Sequence, residues 1–97
     1  IPAGDLADIF RALSGSEEVF RAALLEHPNR SAVAHTLAAT GQASLAQLRY
    51  AEAAFWFTRA LLLHKGQTEW HFSRGRALVH LQQHDEALRD FDTVLGY

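Results

Sequence analysis

Apolar residues recur along this chain at intervals of three and four, the spacing of one face of an α-helix. Between residues 50 and 64, Ala53, Phe57, Ala60 and Leu61 fall at i, i+4, i+7 and i+8. Between 85 and 95, Ala87, Phe91, Val94 and Leu95 repeat that stripe. Upstream, Phe20, Ala23 and Leu24 form a shorter one, and Leu6, Ile9, Phe10 and Leu13 a fourth. The pattern predicts helices over roughly 5–13, 17–27, 32–47, 50–64, 68–81 and 85–95. Asp5, Ser16 and Ser31 stand where side-chain oxygens would cap the first three. The turns are short, which makes consecutive helices antiparallel, and the fold class is all-α.

The helices are not independent in sequence. Laying residues 34–63 on 68–97, an offset of 34, makes six pairs identical: Gly41/Gly75, Ala43/Ala77, Glu52/Glu86, Ala53/Ala87, Phe57/Phe91 and Leu61/Leu95. Gly inside a helix costs about 1 kcal/mol relative to Ala, so Gly41 and Gly75 signal a close approach of a neighbouring group. The small Ala53 and Ala87 serve the same crossing from the other side. One such unit cannot bury its stripe alone and has to stack on the next.

At these residues the chain resembles the tetratricopeptide repeat, whose signature spaces a Gly, a small Ala and an aromatic as in Gly41–Ala53–Phe57 and Gly75–Ala87–Phe91. Trp70 and Leu78 approximate the aromatic and apolar positions of the first helix, Trp70 one residue early. The usual closing Pro is replaced by Lys65 and Gly66. The resemblance implies a single domain over 1–97, a short right-handed solenoid of about three helix-turn-helix repeats, six helices in all. Its units would be a degenerate 1–33, a second repeat 34–67 and a third 68–97. It also implies a non-catalytic scaffold that takes a peptide or helix of a partner protein in a concave groove. Carried over by register, the groove would be lined by His35, Ala38, Gln42, Leu45 and Ala46, then by Glu69, Phe72, Arg76, Val79 and His80. The relatives that clamp a C-terminal carboxylate use Lys and Asn there. Here those positions hold Ala38 with Gln42 and Phe72 with Arg76, so hydrophobic-groove relatives, among them secretion chaperones and assembly factors, are closer in character.

Composition adds limits. The chain has 97 residues, 48% of them apolar, and no Cys, which removes disulfides and thiolate metal sites. No apolar run approaches the roughly 20 residues that span a bilayer. The absence of Met, with Ile1 first, is what a processed or excised fragment would show. The compartment is not fixed by composition; a cytoplasmic one is favoured. A net charge of −2 argues against nucleic acid as a partner. Of six His, only His80 and His84 have a ligand spacing, and a turn expected at 82–84 separates them. His27 before Pro28 reads as a charge at a helix end, and Asp85, Glu86, Asp90 and Asp92 as a solvated acidic face, Asp85 paired with Arg89. Ser14-Gly15-Ser16 lacks the glycine frame of a nucleophile elbow, and no glycine-rich phosphate loop is present. The expectation is a protein without catalytic residues, metal or cofactor.

An alternative function is self-association. Phe91, Val94, Leu95 and Tyr97 would be left open on the final helix, and Phe55 and Leu62 project from a face the resemblance expects to be polar. Either set would serve a homodimer or a larger assembly.

Overall fold

The computed structural model describes residues 15–96, and among them the helical periodicity becomes five α-helices and no strand. They are α1 (Glu17–Leu24), α2 (Arg30–Ala46), α3 (Tyr50–Leu63), α4 (Thr68–His80) and α5 (His84–Leu95). The helix expected over 5–13, with its cap Asp5, lies outside the described residues, as does Tyr97. Five helices bear out the all-α class.

Local chemistry sets the boundaries. Ser16 caps α1 as expected: its hydroxyl accepts the Val19 N–H at 3.3 Å, and Glu17 and Glu18 complement the dipole of the first turn. That helix ends at Leu24, three residues earlier than its sequence suggested. Past it, the Arg30 guanidinium donates to the Leu25 carbonyl at 2.7 Å and the Asn29 N–H donates to His27 Nδ1 at 3.0 Å. His27 thus lies three residues beyond the last helical residue, its ring bonded to the following turn. Ser31 is no cap either, since α2 already begins at Arg30 and Asn29 holds the capping position without a side-chain bond.

From α2 onward each helix packs on the one that follows it, α2 also touches α4, and α1 meets α3. The antiparallel sense is visible in the contacts. His35 near the start of α2 meets His64 just past α3, and Tyr50 at the start of α3 meets His80 at the end of α4.

The 34-residue offset reappears in the geometry. A Cβ on Gly41 would lie 3.0 Å from the Phe57 ring, and one on Gly75 would lie 2.6 Å from the Phe91 ring. Both glycines therefore mark the helix crossings that their sequence positions implied. The turns match as well. Leu48 and Gln82, 34 apart, both adopt φ 62°. Around them Leu48 donates to Leu45 O and Gln82 to Val79 O, each at 3.0 Å, while Arg49 donates to Ser44 O and Gln83 to Leu78 O, each at 2.9 Å. This is a Schellman closure, repeated bond for bond, with the left-handed residue being Leu in one turn and Gln in the other.

The core runs along this stack. Phe20 and Leu24 of α1, Ala34, Leu37 and Ala38 of α2, Ala53, Phe57, Ala60, Leu61 and Leu63 of α3, and Trp70 and Ala77 of α4 form one buried cluster. Val33, Leu45, Tyr50, Ala54, Trp56 and Leu62 pack against it.

Candidate functional site

The residues expected to line a groove come from α2 and α4, which are joined by a hydrogen bond from Gln42 Nε2 to Ser73 Oγ at 3.0 Å. Beside that bond opens a cleft of about 410 Å³ bounded by Gln42, Thr68, Glu69, Phe72, Ser73, Arg76 and Val94. Phe72 is 48% exposed at its wall. The Arg76 guanidinium lies over its outer side, 6.0 Å from the ring centroid, and the Phe91 ring lies 5.9 Å away on another. An aromatic plane, a guanidinium and a primary amide thus converge on one solvent-open recess. Such a set can hold an extended or helical segment by one apolar anchor and a few polar contacts.

The other expected lining residues divide between the two ends of the helices. His35 stands edge-on to Trp70 at 5.0 Å and 5.4 Å from His64, its Nδ1 donating to the Ser31 carbonyl at 2.8 Å. At the far end His80 stacks flat on Tyr50, 4.1 Å between centroids. Ala46 and Val79 are exposed near that end, while Leu45 is half-buried against the core. Ala38 is a correction: it is buried in the core and presents nothing to a groove. Its methyl faces inward because it shares a helical face with Ala34 and Leu37, which are buried with it.

The residues singled out for self-association also separate. Leu95 is 66% exposed, while Phe91 and Val94 are half-buried, Val94 at the edge of the Phe72 cleft. Phe55 is partly exposed with Trp56 edge-on to it, and Leu62 is packed against the core.

Two charged groups do something the sequence reading missed. Asp90, expected on a solvated acidic face, is buried. It accepts from Arg74 Nε at 2.8 Å, from Arg74 Nη2 at 2.6 Å and from His71 Nδ1 at 2.9 Å. Arg74 Nη1 continues to Thr58 Oγ1 at 3.3 Å, tying α3, α4 and α5 together. The signal was present in the offset alignment. His71 and Asp90 stand where the preceding unit has the apolar Leu37 and Trp56, so two apolar positions become polar together. Arg59 is also buried, its guanidinium 4.9 Å from the Phe20 ring centroid and 4.6 Å from that of Phe55. Nη2 donates to the Gly15 carbonyl at 2.7 Å and Nη1 to that of Ser16 at 3.5 Å. Both sites are satisfied internally and hold helices together, and Arg74 and Asp90 also line a cleft of about 250 Å³ with Thr58, Leu78, Glu86 and Arg89.

Among the described residues no three His, Asp or Glu side chains gather where they could hold a metal ion, and no helix is long and apolar enough to cross a membrane. His80 closes α4 and His84 opens α5, on different helices. No protein-family model, curated protein or solved structure matches the chain.

Proposed function

We propose that this chain is a non-catalytic protein-interaction module of the tetratricopeptide type, a short stack of helix pairs that takes a peptide or helix of a partner protein against α2 and α4. The observation that carries the reading is the Phe72 cleft. A large apolar ring stays half in solvent although the interior of a 97-residue chain has every use for it, and Arg76 and Gln42 flank it. The bond-for-bond repetition of the Leu48 and Gln82 turns supports a stacked-repeat architecture behind it. Arg74 and Asp90, which line a smaller cleft of about 250 Å³, are engaged with each other and with Thr58 and His71.

The test is selection of peptides on the immobilised chain from a random display library, followed by affinity measurement on variants. Arg76→Glu with Gln42→Glu reverses the polar character of the cleft at two exposed positions. Phe72→Ala is a weaker tool because the Phe72 ring also rests near Phe91. The expected result is a loss of about tenfold or more for the double change, equivalent to about 1.4 kcal/mol, with a helical circular-dichroism spectrum like the parent's and a stability lowered by no more than the Gln42–Ser73 bond contributes, about 0.5–1.5 kcal/mol. Selected peptides that bind the double variant equally well would place recognition elsewhere.

A further inference from the structure

The Phe72 cleft is electrically polar along its length. Glu69, Phe72 and Arg76 are all exposed and all border it. Spaced i, i+3 and i+7, they share one face of α4. An acid thus stands on one side of the ring and a base on the other, about 10.5 Å apart along the helix axis. Among the described residues neither is in an ion pair. The rest of the wall is neutral. After Arg30 at its start α2 has no acid, Lys or Arg; it contributes Gln42, while its His35 lies against Trp70 and His64 and does not border the cleft. From α5 comes Val94, and the exposed charges of that helix, Asp85, Glu86, Arg89 and Asp92, lie outside the recess. On α4 itself Arg74 is turned away and held by Asp90. This face belongs to a helix already packed by α2, α3 and α5.

On the reading that this cleft is the binding surface, we infer that the helix it takes is α4 of a second copy of the chain. The face is complementary to itself. Two α4 helices laid antiparallel, with the two-fold axis between Phe72 and Ser73, set Glu69 of each opposite Arg76 of the other. Both ends of the contact then pair an acid with a base, and the two Phe72 rings flank the axis. Each incoming carboxylate meets a guanidinium that already lies over a ring, 6.0 Å from its centroid. Val94 at the cleft edge widens the apolar part. Parallel pairing would set acid on acid and base on base, so the charges fix the direction as well as the register. A two-fold contact of this kind closes on itself as a dimer and leaves no further α4 face to extend it. Helical form suits the cleft too. An extended segment brings backbone groups that need partners, whereas Gln42 Nε2 and Ser73 Oγ are already bonded to each other.

Sedimentation equilibrium of the full chain over a concentration series should show a monomer–dimer equilibrium. Arg76→Glu sets acid against acid at both ends of the contact, and Glu69→Arg sets base against base. Each change alone should weaken association about tenfold, two exposed attractions becoming two repulsions. Mixing the two variants brings opposite charges to both ends again, so a heterodimer should form with about the parent's affinity. The double variant Glu69→Arg with Arg76→Glu restores both pairs within one sequence and should dimerise like the parent. Both positions are exposed, and circular dichroism checks that each variant keeps its helices. A parent that stays monomeric up to about 1 mM overturns the assignment. If a selected peptide still binds that monomer and loses affinity on Arg76→Glu with Gln42→Glu, the second copy is excluded and the cleft keeps its function. A dimer indifferent to both charge changes has its contact elsewhere and overturns the assignment as well. So does a dimer that the single variants weaken and their mixture fails to restore, since the charges then act within one chain and not across the pair.

Discussion

Arg74 closes its guanidinium on Asp90 in two-point geometry, Nε to Oδ2 at 2.8 Å and Nη2 to Oδ1 at 2.6 Å, and Asp90 is only 2% exposed. Removing one partner of a buried pair leaves an uncompensated charge and costs about 3–5 kcal/mol. That is a large share of the roughly 5–15 kcal/mol that holds a domain folded. Arg74→Ala is therefore expected to bring the chain close to unfolding, as read from a urea midpoint. Replacing the whole cluster is a different matter. The triple change His71→Leu, Arg74→Met and Asp90→Leu should come back to within about 1 kcal/mol of the parent or exceed it, because a well-packed apolar substitute for a buried ion pair is often neutral or stabilising. A triple variant as unstable as Arg74→Ala alone would show that the cluster specifies the packing of α3, α4 and α5 and does more than occupy it.

The two glycines of the repeat should respond differently to the same substitution. Ala is favoured over Gly by about 1 kcal/mol inside a helix, and the new Cβ meets an aromatic ring in both places. The Phe57 ring opposite Gly41 is wholly buried and cannot retreat. The Phe91 ring opposite Gly75 is half-buried beside the exposed Phe72 and has room to swing. Overpacking costs about 1–3 kcal/mol where nothing can give. Gly41→Ala is expected to destabilise by a net ~1 kcal/mol or more, and Gly75→Ala by less, although its starting contact is the closer one. The reverse order in thermal melts would mean that the Phe91 ring is fixed more firmly than its partial exposure allows.

The left-handed turn residues give a test of opposite sign. Leu48 and Gln82 hold φ 62° without being glycine, and Leu48 is 69% exposed, so its side chain contributes little packing. A left-handed conformation costs an L-residue about 1–2 kcal/mol that Gly avoids, part of it offset by the entropy Gly loses on folding. Leu48→Gly and Gln82→Gly should each raise stability by about 0.5–1 kcal/mol, and by similar amounts because the two turns are equivalent. Unequal effects would show that the 34-residue correspondence stops short of the energetics.

These positions show what the sequence could reveal. The crossings were legible because Gly, a small residue and a ring recur at fixed spacing, and each has only one steric use there. The turns were legible as places and not as conformations, since neither Leu48 nor Gln82 advertises a positive φ. Ala38 misled because a small apolar residue on a helix fits core and groove alike, and only the neighbouring Ala34 and Leu37 decide which. Asp90 was misread and Arg59 passed over for a common reason. Their partners are distant in the chain, 16 residues away for Arg74 and Asp90 and 44 for Arg59 and Gly15, whereas charge patterning along a chain reports only neighbours on the same helix.

Arg59 is the main polar tie between α1 and the rest. The described part of α1 adds Phe20 and Leu24 to the core, and between their helix and α3 the Arg59 guanidinium lies against the rings of Phe20 and Phe55 while donating to the carbonyls of Gly15 and Ser16. A desolvated cation–π contact contributes up to about 2 kcal/mol, and a hydrogen bond to a charged group about 1.5–3 kcal/mol. Arg59→Ala should therefore loosen α1 selectively. In native-state hydrogen exchange the amides of 21–24 should lose at least about tenfold in protection, corresponding to about 1.4 kcal/mol, while those of Leu61 and Ala77 change little, as expected if α1 opens as its own unit. Arg59→Lys keeps the charge but not the planar fork that spans two carbonyls and stacks between two rings, so it should recover less than half of the loss. If protection in α1 and α3 falls together, the helix is not a separable unit and Arg59 supports the whole stack. Full recovery with Lys would mean that charge alone, without the planar geometry, secures the helix.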